Sequence, residues 1–145
     1  MHKKLIPLVC PKCGNSEYVV KDKVVLGQIE SDIKNSILNK KYFTNKCSKC
    51  SFTNIFTFPF IYYDAINKYA ICNDIEDVKL NDDVIIYKAT NYKQIINYIQ
   101  VLDNKINLKI LDTINDISFD AVIIDISDDI VIEVNNQIKI LRNIN

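Results

Sequence analysis

"CPKCG" at residues 10–14 and "CSKCS" at residues 47–51 decide the fold of the first half of this 145-residue chain. Each stretch holds two cysteines separated by two residues and leads into residues typical of a β-strand. Two cysteines three positions apart in a tight turn can direct both sulfur atoms at one ion, and Gly14 suits such a turn because the residue there often needs a positive φ. The two pairs predict a single metal site formed by Cys10, Cys13, Cys47 and Cys50.

Several chemistries are compatible with two cysteine pairs. Four thiolates are a common ligand set for structural zinc, so we expect one structural zinc ion. Iron also suits four thiolates. A thiol redox switch is an alternative, because one C-x-x-C motif can form a reversible disulfide. Catalytic zinc is less favoured, since it usually keeps one position open to water and here all four ligand positions are taken.

The spacing of the pairs predicts a zinc-ribbon-like N-terminal part with an inserted helix. Between Cys13 and Cys47 lie 33 residues, more than the roughly 15–20 of a compact ribbon. Residues 26–40 are predicted to be a helix, because Ile29, Ile33 and Ile37 recur on one face. Strands are predicted at 5–10 and 16–20 around the first pair, and at 42–47 and 52–60 around the second.

The rest of the chain predicts an α+β arrangement. Residues 58–71 indicate strand, turn and strand, and residues 84–89 indicate another strand. Two helical stripes follow, consisting of Ile95, Ile96, Ile99 and Leu102, and then of Ile106, Ile110, Leu111, Ile114 and Ile117. A three-stranded antiparallel meander is predicted at 121–126, 130–134 and 137–141.

The apolar residues of the meander are predicted to lie on a buried face. They are Val122, Ile124, Ile126, Ile130, Ile132, Val134, Ile138 and Ile140. So many large apolar groups are rarely exposed in one patch. We expect the two helices to cover them, which favours a monomer over a homo-oligomer. The predicted parts are 1–72, zinc-ribbon-like, and 73–145, α+β, with one continuous domain as the alternative.

Composition and charge limit the classes of function. The chain has no apolar run near the roughly 18 residues that span a bilayer, so no membrane association is expected. The basic N-terminus is interrupted by Pro7 and does not resemble a signal peptide, and paired thiols in a reducing cytoplasm favour metal binding. Residues 1–50 hold ten lysines against four acids, and residues 51–145 carry the opposite excess. This basic front makes a nucleic-acid partner an alternative, but a solvated face is favoured.

Three residues at a predicted turn, Tyr62, Tyr63 and Asp64, form a candidate interaction surface, because tyrosine combines a large apolar body with a polar tip. In the favoured alternative, one tyrosine packs inward, one points outward, and Asp64 makes a turn hydrogen bond. Cys72 ends an apolar strand and is interpreted as a buried core residue rather than a fifth ligand. His2 is the only histidine, so a Ser–His or Cys–His catalytic scheme has a poor basis.

The order of these motifs resembles the CpXC family of bacterial and archaeal proteins, which is named for paired Cys-Pro-x-Cys motifs. "CPKCG" at 10–14 matches the first motif in full, whereas "CSKCS" at 47–51 matches the second only in its cysteines. Ser48 stands where the family prefers proline, and Ser51 where it prefers glycine. "FPFIYYDAINKYAI" at 58–71 and "NYKQIINYIQVLDNKIN" at 91–107 are similar to later family segments, so the resemblance covers roughly residues 5–118. It implies zinc ligation by the four cysteines and no particular activity.

These observations favour a small cytoplasmic zinc-binding protein that is not an enzyme. Its predicted role is that of an accessory or protein-interaction module with an unidentified protein partner. A nucleic-acid-binding zinc ribbon and a thiol redox switch are the alternatives. The abundance of Ile, Asn and Lys, whose codons are A/T-rich, indicates a bacterial host.

Overall fold

The computed structural model describes residues 3–76, 78–81 and 83–142, and has the predicted α+β character. Within these residues, three α-helices accompany four β-sheets. The chain divides into two compact units, Met1–Tyr92 and Lys93–Asn145. In the described part of the chain, no helix is long and apolar enough to cross a membrane.

Each cysteine pair lies in the loop of an antiparallel hairpin. Strands β1 (Lys3–Val9) and β2 (Ser16–Asp22) enclose the first pair. Strands β4 (Thr44–Lys46) and β5 (Thr53–Ile55) enclose the second pair. Exposure alternates along both β1 and β2, as expected for strands with one covered face. The strand predictions around the pairs are confirmed, although β4 and β5 are shorter than expected.

The helix predicted over residues 26–40 is wrong at its N-terminal end. Leu26 closes a short strand, β3 (Val24–Leu26), and helix α1 spans Ser31–Leu38. The Glu30 side chain accepts a hydrogen bond from the Leu26 backbone N–H at 2.9 Å, which favours a turn rather than a longer helix. Ile29 is consequently exposed, whereas Ile37 is buried. A 3-10 turn at Lys41–Phe43 follows, in place of the start of the predicted strand 42–47.

A four-stranded sheet organises the rest of the first unit. Its strands β3, β6 (Phe60–Asp64), β7 (Tyr69–Asn73) and β8 (Ile85–Ala89) lie in that order. All five residues of β7 are buried, and β8 runs parallel to it. The units divide after Tyr92, and the strand predicted at 84–89 completes the sheet of the first unit.

Aromatic side chains form much of the core of the first unit. The rings of Tyr42, Phe43, Phe58 and Phe60 lie within 6.2 Å of one another, measured between centroids. The Tyr42 hydroxyl donates a 2.7 Å hydrogen bond to the Asp22 carboxylate at the end of β2. This bond connects the first hairpin to the aromatic core, and it leaves neither buried polar group unsatisfied.

The second unit packs two helices against a three-stranded sheet. Helices α2 (Tyr92–Asp103) and α3 (Lys109–Ile117) precede β9 (Val122–Asp125), β10 (Ile130–Val134) and β11 (Gln137–Leu141). The meander is confirmed, with β10 between its two neighbours. Its buried cluster consists of Val101, Ile106, Ile114, Ala121, Ile123, Ile130, Ile132 and Val134. The buried Asn97 amide bonds both Ala121 C=O and Ile123 N–H, so it joins α2 to the start of β9.

The predicted apolar face of the meander is wrong for β11. Ile138 and Ile140 are 64% and 66% exposed, respectively. Asn135 and Asn136 both have positive φ, as a two-residue hairpin turn requires, and this turn pairs Val134 with Gln137. The inward positions of β11 therefore belong to odd-numbered residues. In β9 the buried residues are Val122 and Ile123, and Ile124 is exposed, because a register shift interrupts the pairing with β10.

A matched pair of substitutions tests this register. Ile132→Thr should lower the free energy of unfolding by roughly 2–4 kcal/mol, because it removes buried apolar volume and buries a hydroxyl. Ile138→Thr should change it by less than about 0.5 kcal/mol, because its side chain is already in solvent. Urea denaturation of the two variants provides the measurement. Equal losses would show that the described register of β11 is incorrect.

Candidate metal centre

The two cysteine turns, residues 10–14 and 47–51, share one backbone geometry. In the first, Gly14 N–H donates to Cys10 C=O at 2.9 Å. In the second, Ser51 N–H donates to Cys47 C=O, also at 2.9 Å. Gly14 has a φ of 76° and Ser51 a φ of 65°. Ser51 thus adopts the left-handed conformation without being glycine, and the departure from the CpXC pattern at this position does not change the turn.

This shared geometry brings the four predicted ligands together. All four Sγ atoms lie within 4.8 Å of one another. Two separations join the two turns, at 3.6 Å between Cys10 and Cys50 and 3.7 Å between Cys13 and Cys47. The first cysteine of each pair is buried, Cys50 is half-buried, and Cys13 is exposed. The cluster can hold a metal ion at the edge of the first unit.

The electrostatics of the cluster favour a bound cation. The backbone N–H of Cys50 is the main cause of a pKa of about 6 for the Cys47 thiol. The N–H of Cys13 similarly lowers the pKa of Cys10. The N–H of Phe52 acts in the same direction on Cys50, but burial and the three neighbouring thiols raise its pKa to about 12. Four thiolates this close repel one another, and a cation among them would remove the conflict.

Polar side chains that the sequence analysis did not single out fix the second turn to the first hairpin. The Glu17 carboxylate on β2 accepts bonds from the Ser48 hydroxyl at 2.8 Å and from the Asn45 amide at 3.2 Å. The same bonds lower the pKa of Glu17, so it is ionised there. The Asn15 amide lies 3.9 Å from the Cys47 sulfur and donates to it. Such outer contacts orient metal ligands.

Proline at position 48, which the family prefers, would remove both donors that Ser48 offers to Glu17. The Ser48 N–H also points to the Glu17 carboxylate, at 3.4 Å. Serine at this position lacks the fixed φ of proline, but it donates hydrogen bonds to the neighbouring hairpin. The sequence signal was the presence of polar residues beside each cysteine pair. Their partners depend on the approach of two hairpins, which periodicity does not reveal.

Two of the three residues proposed as an interaction surface are buried. Tyr62 is fully buried, and its ring lies so close to Gly27 that a Cβ there would overlap it. Asp64 is also buried, and it accepts the backbone N–H groups of Ile66 and Asn67 at 3.0 and 2.9 Å. Only Tyr63 is partly exposed. The alternative interpretation, with one inward tyrosine and an aspartate-stabilised turn, corresponds to this geometry.

Cys72 is separate from the cluster of four. It lies on β7 with 1% of its surface exposed, and burial raises the pKa of its thiol. This agrees with its interpretation as a small core residue. His2 lies outside the described residues.

Two hairpins that bring two C-x-x-C turns together define a small α+β protein with a four-cysteine site that can hold a metal ion. A family model described as CpXC protein matches residues 8–135, nearly the whole chain. The chain therefore belongs to the CpXC family, and the match begins near the expected residue 5 but extends past the expected end at residue 118. No curated protein and no solved structure matches the chain.

Reciprocal substitutions test whether the two turns are equivalent. Ser51→Gly should stabilise the protein by about 0.5–1 kcal/mol, because the left-handed conformation costs about 1–2 kcal/mol without glycine and the flexibility of glycine offsets part of the gain. Gly14→Ser should destabilise it by a similar amount. A Cβ at Gly14 meets nothing within 4 Å, so its cost is conformational alone. Thermal melts of metal-loaded protein give the comparison, and a loss of stability in Ser51→Gly would contradict it.

Proposed function

We propose that this CpXC protein binds one zinc ion through Cys10, Cys13, Cys47 and Cys50, and that the ion maintains a zinc-ribbon-like pair of hairpins. The observation that carries this proposal is the convergence of four Sγ atoms on two turns of matching backbone geometry. The protein itself acts as a non-enzymatic interaction module in the cytoplasm, where reduced thiols remain available to the metal.

The spacing of the sulfur atoms supports zinc. Four ligands about 2.3 Å from a tetrahedral zinc ion lie about 3.8 Å from one another. Two Sγ pairs are 3.6 and 3.7 Å apart and all four atoms lie within 4.8 Å, so an ion at the centre requires little rearrangement. Iron with four thiolates has related geometry, and metal analysis distinguishes the two.

A structural role for the ion follows from its ligand set. Four thiolates complete a tetrahedral site, which leaves no position for a water molecule or a substrate. The ion then contributes to folding by connecting the first hairpin to a second whose strands, β4 and β5, have only three residues each. With the ion in a structural role, a partner would bind residues on the protein surface rather than the metal.

The redox alternative receives less support from the geometry. A C-x-x-C redox switch closes its disulfide within one motif. Here all four sulfur atoms lie within 4.8 Å of one another, and sulfurs of different motifs approach to 3.6 Å (Cys10 and Cys50) and 3.7 Å (Cys13 and Cys47). That arrangement suits four ligands around one centre better than two independent dithiols.

Metal analysis tests the zinc proposal. Purified protein should contain about one zinc ion per chain, measured by mass spectrometry of the metal. Cys47→Ser should lose the ion and unfold the first unit, because structural zinc contributes on the order of 10 kcal/mol to folding. Cys72→Ala is the matched control, a cysteine outside the cluster, and should retain the ion. Metal-free protein with a Cys10–Cys13 disulfide would contradict the proposal, and iron instead of zinc would correct the identity of the metal.

A binding assay tests the nucleic-acid alternative. The chain carries no net charge, whereas nucleic-acid-binding domains usually show a strong basic footprint. We expect no binding to single- or double-stranded DNA or RNA with a Kd below about 1 µM at physiological salt. Gel shifts across a salt series give the measurement, since phosphate contacts weaken steeply as salt increases. Sub-micromolar, salt-sensitive binding would favour a nucleic-acid-binding module instead.

A further inference from the structure

One face of the first hairpin is apolar and open to solvent. The cross-strand pairs Leu5–Val20 and Pro7–Tyr18 lie on it, and Val9 extends it towards Cys10. Leu5, Val9, Tyr18 and Val20 are each between 61% and 70% exposed. Contiguous exposed apolar residues of this kind mark binding surfaces. We name this surface, formed by Leu5, Pro7, Val9, Tyr18 and Val20, the hairpin face.

The charged groups of this hairpin and its ends that remain available to a partner are lysines. Lys12 and Lys23 are exposed, whereas the exposed Lys3 pairs with the Asp22 carboxylate, with its Nζ 2.6 Å from Oδ1. The two carboxylates within β2 are both engaged in the protein, since Glu17 binds Ser48 and Asp22 binds Tyr42. A partner that reaches this hairpin therefore meets apolar side chains together with the lysines at its ends, Lys12 in the cysteine turn and Lys23 after β2. Such a surface is complementary to apolar residues accompanied by carboxylates.

The dimensions of the hairpin face fit a short extended segment. Seven residues of strand are about 23 Å long and two strands are about 10 Å wide, which is well below the roughly 800 Å² per partner of a standard protein interface. In the described part of the chain, β1 pairs only with β2. The outer edge of β1 can therefore accept another strand, and main-chain hydrogen bonds would add to side-chain contacts.

We propose that the hairpin face binds an extended segment of a partner protein in which aliphatic or aromatic residues alternate with aspartate or glutamate. This inference rests on the proposed function, an interaction module supported by zinc, and names its partner class. The metal site positions the face directly, because Val9 precedes Cys10 and Ser16 follows the first cysteine turn. A second copy of the chain is disfavoured by the small area and by the lysines that two such faces would bring together.

The aliphatic character of the face distinguishes this partner from a nucleic acid. Bases stack on aromatic rings, and grooves for single strands combine several rings with cations along the backbone. Tyr18 is the single aromatic residue of the five, and the others are aliphatic or proline. Aliphatic side chains instead favour the apolar residues of a protein strand.

A random peptide library displayed on phage provides the test, with zinc-loaded full-length protein as bait. The selected peptides, synthesised and fluorescently labelled, should contain alternating apolar and acidic residues. The variant Leu5→Ser/Tyr18→Ser/Val20→Ser should weaken their binding by about tenfold or more. The matched control is Ile138→Ser/Ile140→Ser, which alters an equally exposed apolar pair on β11 and should leave the affinity unchanged.

Four results would overturn the proposal. The first is a selection that yields no binding peptide, and the second is equal binding of the selected peptides to wild type and the hairpin variant. The third is self-association of the wild type that the hairpin variant abolishes. The fourth is RNA or DNA binding that the same variant removes. Zinc content and melting temperature are measured on every sample. A failure of the zinc-supported fold is therefore seen separately from a failure of the hairpin face.

Discussion

The first unit depends on the approach of four cysteine thiols, where two hairpins meet and hydrogen bonds of Glu17 and Asn15 connect them further. Each thiol pair is held in position by a turn that returns the chain through one residue of positive φ, Gly14 or Ser51. The turns place backbone N–H groups towards the sulfur atoms and stabilise their thiolates. The cost of gathering four such groups is electrostatic, and a bound metal cation would relieve it.

Around this centre, the protein uses hydrogen bonds where the CpXC pattern would use proline and glycine. Ser48 binds Glu17 across the hairpins, and Ser51 tolerates a conformation that glycine adopts at lower cost. The ligand positions therefore remain compatible with one ion although the second motif keeps only its cysteines. The four-cysteine cluster and the open face of the first hairpin share β1 and β2, so an ion that ordered the turns would also order this face.

The sequence predicted the helices and strands more completely than the contacts between them. Cysteine spacing predicted the site, and apolar periodicity predicted both helices of the second unit and all three strands of the meander. Apolar periodicity failed at Leu26, which fits a helix stripe equally well but lies in a strand. It also failed at Ile138 and Ile140, because their orientation depends on the Asn135–Asn136 turn. The parallel pairing of β8 with β7 and the role of Glu17 depend on contacts distant in sequence, which local patterns do not specify.

Hydrogen exchange of zinc-loaded and chelator-treated protein tests the central claim most directly. The backbone amides of Cys10, Gly14, Cys47 and Ser51 all donate hydrogen bonds within or beside the two turns. If one ion unites the turns, chelation should accelerate exchange at residues 10–15 and 47–52 together, and zinc should restore protection at both. Protection that is unchanged by chelation, or lost from one turn alone, would contradict a shared four-cysteine metal site.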